Sequence, residues 1–496
     1  MKLGKIAEEA GFDAGAAADT PVTGFAIDHR KVAPGTVFGA FQGSSLNGED
    51  FIPAAIAAGA VAVVARPEAV VEGALHIADA EPRRMFARAA AAFFQPVPAI
   101  VVAVTGTNGK TSTVEMTRQL WRMVGVSAAS IGTLGVTTPD ESVSTGLTTP
   151  DIVTFLSNLT GLAREGVTHV AYEASSHGLS QFRNEGLHVA AGAFTNLSRD
   201  HLDYHADMDE YFAAKMRLFD QVVADGGTAV IWRGGDGWAE RAEGHAHRRG
   251  LRVFSVGGEG KDLRLVARTP GRLGQVLEIE HAGVVRKVNL PLIGAYQAAN
   301  ALVAAGLVIA TGGDPVATFE SLSRLQPVRG RLERAALNRS GAPIYVDYAH
   351  TPDALEAAIA ALRPHVSDSP RGRLIVVFGA GGDRDQGKRA EMGRVAAERA
   401  DVVIVTDDNP RGEDPAAIRR QVMDGATGAR EIGDRRAAIA AAVALAQAGD
   451  IVLVAGKGHE QGQIIGSGEN MKVLPFDDVT VAREAAAAGP EGGSGE

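Results

Sequence analysis

The 496-residue chain carries 49 basic and 59 acidic residues, a formal net charge of -10 at pH 7, 5% aromatic residues and no cysteine. An acidic surplus with few aromatics argues against a general nucleic-acid surface. The absence of thiols excludes disulfides and thiolate chemistry, so a metal must sit on carboxylate, imidazole, hydroxyl or phosphate oxygen, which favours Mg²⁺. No apolar run reaches the ~18 residues of a membrane span, and MKLGKIAEEAGFD lacks the apolar core of a signal peptide, so a cytoplasmic protein without membrane insertion is expected. A chain this long predicts about three domains.

Residues 1–98 mix short strands and helices. The stretches 25–30 and 35–40 read as two strands joined by a Pro34-Gly35 turn, 59–64 as a strand after a helix, and 81–94 as a helix with Pro82 in its first turn. QPVP at 95–98 reads as a linker.

The second segment, 99–327, opens with AIVVAVTGTNGKTST. Its apolar run 100–104 predicts a buried strand. The strand breaks at Gly106-Thr107-Asn108-Gly109-Lys110-Thr111, before a helix that carries Val114, Thr117, Trp121 and Val124 on one face. Such a loop turns backbone N–H groups toward anionic oxygens, with Lys110 as a fixed positive charge and the Thr111 hydroxyl as a possible Mg²⁺ ligand. It is one residue shorter than the usual phosphate-loop spacing. Predicted strands at 167–172 and 189–194 end in Glu173 and in Thr195-Asn196, where parallel sheets place their ligands. From 228 to 291 short alternating strands, including 251–256, 276–279 and 284–290, predict an antiparallel extension of the sheet.

The third segment, 328–496, is an α/β repeat. Strands are expected at 344–347, 374–378, 402–406 and 451–455, and helices near 352–363, 388–399, 415–424 and 434–448, which together predict a doubly wound sheet. GAGG at 379–382 is no dinucleotide fingerprint, because the third glycine of GxGxxG would fall at Arg384. The tail AAAAGPEGGSGE from 485 reads as disordered.

Several residue clusters carry chemistry. Glu173 emerges beside the phosphate loop if its strand neighbours 100–104, where its carboxylate would hold Mg²⁺. SRDHLDYH at 198–205 crowds two Asp, two His and one Arg into eight residues; His201 is the candidate second metal ligand, oriented by Asp200 or Asp203. Lys215 lies between Tyr211 and Phe219 on a helix, and on residue grounds alone it is a solvated charge. Asp347 and His350 bound a strand-to-helix corner that suits nucleotide contact, metal contact or helix capping. Corners at 382–385, 407–412 and 455–460 should converge on one rim as a pocket for a zwitterion.

With these residues in view the chain resembles the Mur ligases of peptidoglycan synthesis. The matching motifs run in order: TGTNGKT at 105–111, TTP at 148–150, EASSHGLSQFR at 173–183, TNLSRDHLDYH at 195–205 and AAKMRLF at 213–219. DYAHTPDAL at 347–355, GGDRDQGKR at 381–389, DNPR at 408–411 and GKGHE at 456–460 continue the series.

The resemblance implies three α/β domains. A small domain at 1–98 would bind the UDP-muramoyl substrate, a P-loop ATPase-like, mostly parallel sheet at 99–327 would bind ATP, and a Rossmann-like doubly wound domain at 328–496 would bind the amino acid. It also implies a monomeric ATP-dependent amide ligase. That enzyme would add meso-2,6-diaminopimelate to the D-glutamate γ-carboxylate of UDP-N-acetylmuramoyl-L-alanyl-D-glutamate through an acyl phosphate.

By the same resemblance Thr105, Gly106, Thr107, Asn108, Gly109, Lys110 and Thr111 cradle ATP, which Asn300, Arg331, Asp347 and His350 also contact. Thr111, Glu173, His201 and Lys215 hold Mg²⁺, with Lys215 carbamylated, and Lys110, His201 and Lys215 are the catalytic residues. Asp28, Arg30, Thr148, Thr149, Ser175, Gln181 and Arg183 hold the UDP-muramoyl dipeptide. Arg384, Asp408, Asn409, Pro410, Arg411, Gly456 and Glu460 form the amino-acid pocket. The DNPR form fits diaminopimelate because the planar guanidinium of Arg411 can pair bidentately with a second carboxylate, which lysine lacks. Two positions depart from the family pattern: His29, where a serine is common, and Gln297, where an asparagine is common, which leaves Asn300 as the adenine contact. Folylpolyglutamate synthase shares the loop and the lysine but not DNPR.

Overall fold

The computed structural model describes residues 1–43, 46–138, 142–143, 148–198, 204–235, 237–271, 273–366 and 372–488. The chain forms two compact units, one of Met1–Leu265 with Asn300–Ser321 and one of Val266–Ala299 with Leu322–Glu496.

The first unit begins with a four-stranded sheet in chain order, Gly24–Ala26, Thr36–Gly39, Ala60–Ala65 and Leu75–Ala78. All neighbours are parallel, so the first two strands are not the turn-linked pair expected from the sequence. The reason is local. The Asp28 carboxylate accepts from Arg30 N at 3.0 Å and nucleates a 3₁₀ turn over His29–Lys31, which ends the first strand at Ala26. The chain then crosses back and enters the second strand in the same direction.

The helices Leu3–Ala10 and Pro82–Phe93 cover this sheet with Leu3, Ile6, Phe86 and Ala90. The same core includes Ile152 and Leu156 of the helix Ile152–Arg164. The N-terminal domain is therefore packed onto the middle one and is not only tethered by residues 95–98.

In the middle domain six parallel strands lie in the order Arg252–Gly257, Val223–Arg233, Val189–Phe194, Ile100–Thr105, His169–Glu173 and Ala128–Gly132. Ile100–Thr105 stands between two partners, with Val104 opposite Glu173 and Thr105 opposite Phe194. Its alternating residues are buried on both faces, as parallel strands covered by helices require.

The expected antiparallel extension of the sheet is present but begins later than residue 228. Thr228 pairs in parallel with Arg252, and Val256 in parallel with Leu263. The helix Trp238–Arg248 supplies the crossover that parallel pairing needs. Among the described residues, Gly274–His281 pairs antiparallel with Val284–Leu290 in a hairpin that belongs to the second unit and turns through Ala282 and Gly283, both at positive φ.

The second unit is doubly wound. Its sheet runs Glu333–Leu337, Pro343–Asp347, Ile451–Ala455, Leu374–Phe378, Val402–Val405 and Arg430–Glu431, all parallel except the antiparallel edge strand Glu333–Leu337. Helices Pro352–Leu362, Lys388–Arg399 and Pro415–Met423 bury Leu355, Met392 and Ile418 in one core, while Arg435–Leu445 and Asp478–Ala488 bury Ile439 and Val479 in the other. That last helix corrects the expectation of disorder from residue 485, because 485–488 are helical, with Ala485 and Ala486 packed on the core; residues 489–496 lie outside the described residues.

Candidate functional site

The phosphate loop leaves the Ile100–Thr105 strand and enters the helix Lys110–Met123. Gly109 turns at φ +87°, and a Cβ there would lie 2.3 Å from Asn300 Oδ1, so only glycine allows the asparagine this close. The loop is tied to the exit of the neighbouring strand. Thr107 N donates to Asn196 O at 2.9 Å, Asn108 N to Asn196 Oδ1 at 2.9 Å, and the Thr195 hydroxyl to Asn108 O at 2.6 Å. Thr105, which ends the strand, is fully buried.

Two lysines converge on one carbonyl. Lys110 Nζ donates to Gly106 O at 2.9 Å and to Thr107 O at 2.7 Å, and Lys215 Nζ donates to the same Gly106 O at 2.8 Å. Lys215 is 1% exposed and stands 4.2 Å over the Tyr211 ring, which overturns its reading as a solvated charge. Two ammonium groups beside a helix N-terminus make this pocket a strongly positive one, suited to a polyanion.

A carboxylate balances it. Glu173, 2% exposed, accepts from the Thr111 hydroxyl at 3.0 Å, from Thr133 N at 2.7 Å and from the Thr133 hydroxyl at 3.2 Å. Gly132 is what lets the carboxylate lie there, since a Cβ at that position would fall 2.2 Å from Glu173 Oε1. His201, with Arg199, Asp200 and Asp203, lies outside the described residues.

From Glu173 a chain of polar contacts runs along the expected dipeptide residues. The Thr133 and Thr148 hydroxyls are 3.1 Å apart, Thr149 Oγ1 donates to Glu173 O at 2.8 Å, and Thr149 Oγ1 and Ser175 Oγ are 3.0 Å apart. Arg183 donates to Thr149 O at 2.7 Å and to Gln181 Oε1 at 2.7 Å. Burial holds the Arg183 guanidinium below its ordinary pKa. Asp28 and Arg30 instead pair with each other at 2.7 Å, the arginine side chain 78% exposed, and the Arg30 guanidinium lowers the Asp28 carboxyl to about 2.

In the second unit four strand ends meet at one rim, as expected. Asp347 is buried and accepts from Leu332 N at 2.7 Å and Ala349 N at 2.9 Å, and burial pushes its carboxyl up. The Arg331 guanidinium lies 4.6 Å over the Tyr348 ring, whose other ring contacts include His350 and His459. Burial, with the Arg331 and Arg329 guanidiniums near, lowers His459 to about 3.

The remaining corners interlock. Arg411 sits at φ +49°, donates to Gly382 O at 2.9 Å, and its own backbone N donates to Ile464 O. Asn409 Nδ2 donates to Glu460 Oε2 at 2.8 Å, and a Cβ on Gly456 would stand 3.3 Å from Asp408 Oδ2. Pro410 is buried between them, and Arg384 is exposed at the edge. Arg389, fully buried, pairs with Glu413 at 2.8 Å and bonds Gly381 O at 3.0 Å, tying the 381–384 corner to the 408–413 corner.

Three family models match in chain order: the catalytic domain of the Mur ligase family at 21–100, the Mur ligase middle domain at 104–308 and the Mur ligase glutamate ligase domain at 330–458. The chain belongs to the Mur ligase family. As a Mur ligase it is 60% identical, over 94% of its length and 95% of the relative's, to a protein of Zymomonas mobilis subsp. mobilis named UDP-N-acetylmuramoyl-L-alanyl-D-glutamate--2,6-diaminopimelate ligase. A protein of the same name from Bradyrhizobium diazoefficiens is 53% identical over 93% of this chain and 94% of the relative. A solved structure of a ligase so named superposes with a TM-score of 0.74 at 33% identity, covering 98% of this chain and 99% of that one. The three-domain Mur ligase architecture and an ATP-using ligase activity follow from this membership.

Three residues of this Mur ligase went unmarked in the sequence reading. Thr133 orients Glu173, and its one signal was the polar IGT exit of the Ala128–Gly132 strand. Arg389 and Lys457 lie inside the GGDRDQGKR and GKGHE motifs, but their complete burial is set by packing that no spacing announces.

Proposed function

We propose that this chain joins meso-2,6-diaminopimelate to the D-glutamate γ-carboxylate of UDP-N-acetylmuramoyl-L-alanyl-D-glutamate, using ATP, in the cytoplasm. The observation that carries the ATP half is the convergence of Lys110 and Lys215 on Gly106 O at the mouth of the phosphate loop. The Lys110 ammonium faces the place where charge builds up as the γ-phosphoryl group passes to the substrate carboxylate and ADP leaves. The backbone of residues 105–109 cradles the phosphates, and Asn300 takes the adenine side. Arg331, Asp347 and His350 are the further nucleotide contacts that this reading assigns.

Glu173, Thr111, His201 and Lys215 are the residues that would hold Mg²⁺, and the site fits a hard cation: Glu173 and Thr111 present oxygens 3.0 Å apart, and the chain has no sulfur ligand from cysteine. When bound, Mg²⁺ supplies charge neutralisation to the triphosphate. Lys215, held with Lys110 at Gly106 O, would form a carbamate with CO₂ and release a proton, and that anion is the form in which it would hold Mg²⁺. The dipeptide lies along Thr148, Thr149, Ser175, Gln181 and Arg183, with Asp28 and Arg30 toward the UDP moiety. The acyl phosphate formed at the γ-carboxylate is attacked by the free amine of diaminopimelate, and phosphate leaves.

Arg384, Asp408, Asn409, Pro410, Arg411, Gly456 and Glu460 hold the amino acid, with Arg411 pairing its distal carboxylate. Phosphate release, measured with ATP, the UDP-muramoyl dipeptide and either meso-diaminopimelate or L-lysine, tests this reading. Release should require all three substrates and favour diaminopimelate by ~10²-fold or more, because lysine leaves the Arg411 guanidinium without its carboxylate. Equal rates, or a preference for lysine, would remove the role given to Arg411.

A further inference from the structure

Lys457 follows the Ile451–Ala455 strand, and its side chain is 0% exposed. An ammonium this deep persists only where opposite charge and hydrogen-bond acceptors surround it. Its Nζ lies 2.7 Å from Asn409 Oδ1, 3.2 Å from Glu460 Oε2 and 3.4 Å from Asp408 Oδ1. All three partners belong to the pocket proposed above for the amino acid.

The contacts fix one orientation of the Asn409 amide. Its Oδ1 accepts from Lys457 and, at 3.0 Å, from Ile464 N, so its Nδ2 is the group left to donate to Glu460 Oε2 at 2.8 Å. Charge is set as well. One ammonium faces two carboxylates, and the neighbouring buried Arg435 is already paired with Asp478 at 2.6 Å. Lys457 is the ammonium in direct contact with both carboxylates.

We propose that Lys457 is a positioning residue of the amino-acid pocket: it aligns Asn409 and Glu460 without touching the substrate. The proposal rests on the functional reading above, so the wild-type protein is assayed first; absence of diaminopimelate-dependent turnover there would remove that reading and the proposal with it. With an active wild type, the full-length variants Lys457→Gln and Lys457→Met are compared in steady-state phosphate release and thermal melting. The KM for meso-diaminopimelate should rise about 30-fold or more, while kcat and the KM values for ATP and the UDP-muramoyl dipeptide stay within about threefold. A lysine that only stabilises the fold would lower Tm and reduce kcat toward all substrates alike, leaving each KM unchanged. That pattern overturns the proposal, and so does failure of both variants to fold.

Discussion

Thr133 shows how much a single hydroxyl can govern. It reaches Glu173 twice, by its backbone N–H and by its side chain, and it also meets Thr148. Thr133→Val keeps the first contact and deletes the others, so the carboxylate should remain in place but less well aimed. A fall in kcat of about tenfold is expected, the worth of one hydrogen bond to a charged group, with Tm almost unchanged. Phosphate-release kinetics beside a melting curve would check it. His459 gives a pH signature at the same scale. Its folded-state pKa of about 3 lies below the ordinary 6.5, so the unfolded chain binds the extra proton between those values. Its contribution to stability is complete above pH 6.5 and is lost as pH falls toward 3. Tm should therefore drop more steeply from pH 7 to pH 5 in the wild type than in His459→Gln; parallel slopes would contradict this.

At the scale of elements, the helix Asp478–Ala488 owes its place to a buried ion pair as well as to Val479, Val481 and Ala482. Arg435 donates to Asp478 at 2.8 and 2.6 Å and to Ala455 O at 3.0 Å, with both side chains fully buried. Removing one partner leaves an uncompensated charge, so Arg435→Met should cost about 3–5 kcal/mol in urea unfolding. Arg435→Met with Asp478→Leu should recover most of that loss, because two apolar side chains replace two matched charges. The hairpin Gly462–Ile465 with Lys472–Pro475 works differently. It adds little core, yet its Ile464 N–H and C=O clamp Asn409 and Arg411, and this backbone support holds Arg411 at a positive φ that a non-glycine residue rarely adopts.

Across the whole molecule, the N-terminal domain is anchored to the middle one by a shared apolar core and by Glu185, which is 5% exposed and pairs with Arg84 at 2.8 Å and Arg88 at 3.2 Å. The two arginines are partly solvated, which discounts the pair. Glu185→Ala should cost about 1–2 kcal/mol. Hydrogen exchange should quicken over the helix Pro82–Phe93 and stay slow over the strand Ile100–Thr105, which is buried within the middle sheet. Uniform acceleration across both would mean that the contact does not act locally.

The phosphate loop, the strands of the third segment and the polar corners at their ends were legible in the sequence, because they rest on short-range rules: an apolar run, a glycine-rich break, an amphipathic helix, a polar corner. The strands at 374–378 and 451–455 fall where those rules put them. Strand direction was misread at Gly24–Ala26 and Val223–Arg233, since parallel and antiparallel partners share one residue pattern and the crossover decides between them. Burial of charge was not legible either. On residue grounds Lys215 reads as a solvated charge, and Arg389 and Lys457 go unmarked, until distant segments close over them and supply their acceptors. Sequence by itself determined which chemistry the chain can carry, and tertiary structure alone decided which charges meet, because that depends on contacts between residues tens to hundreds of positions apart.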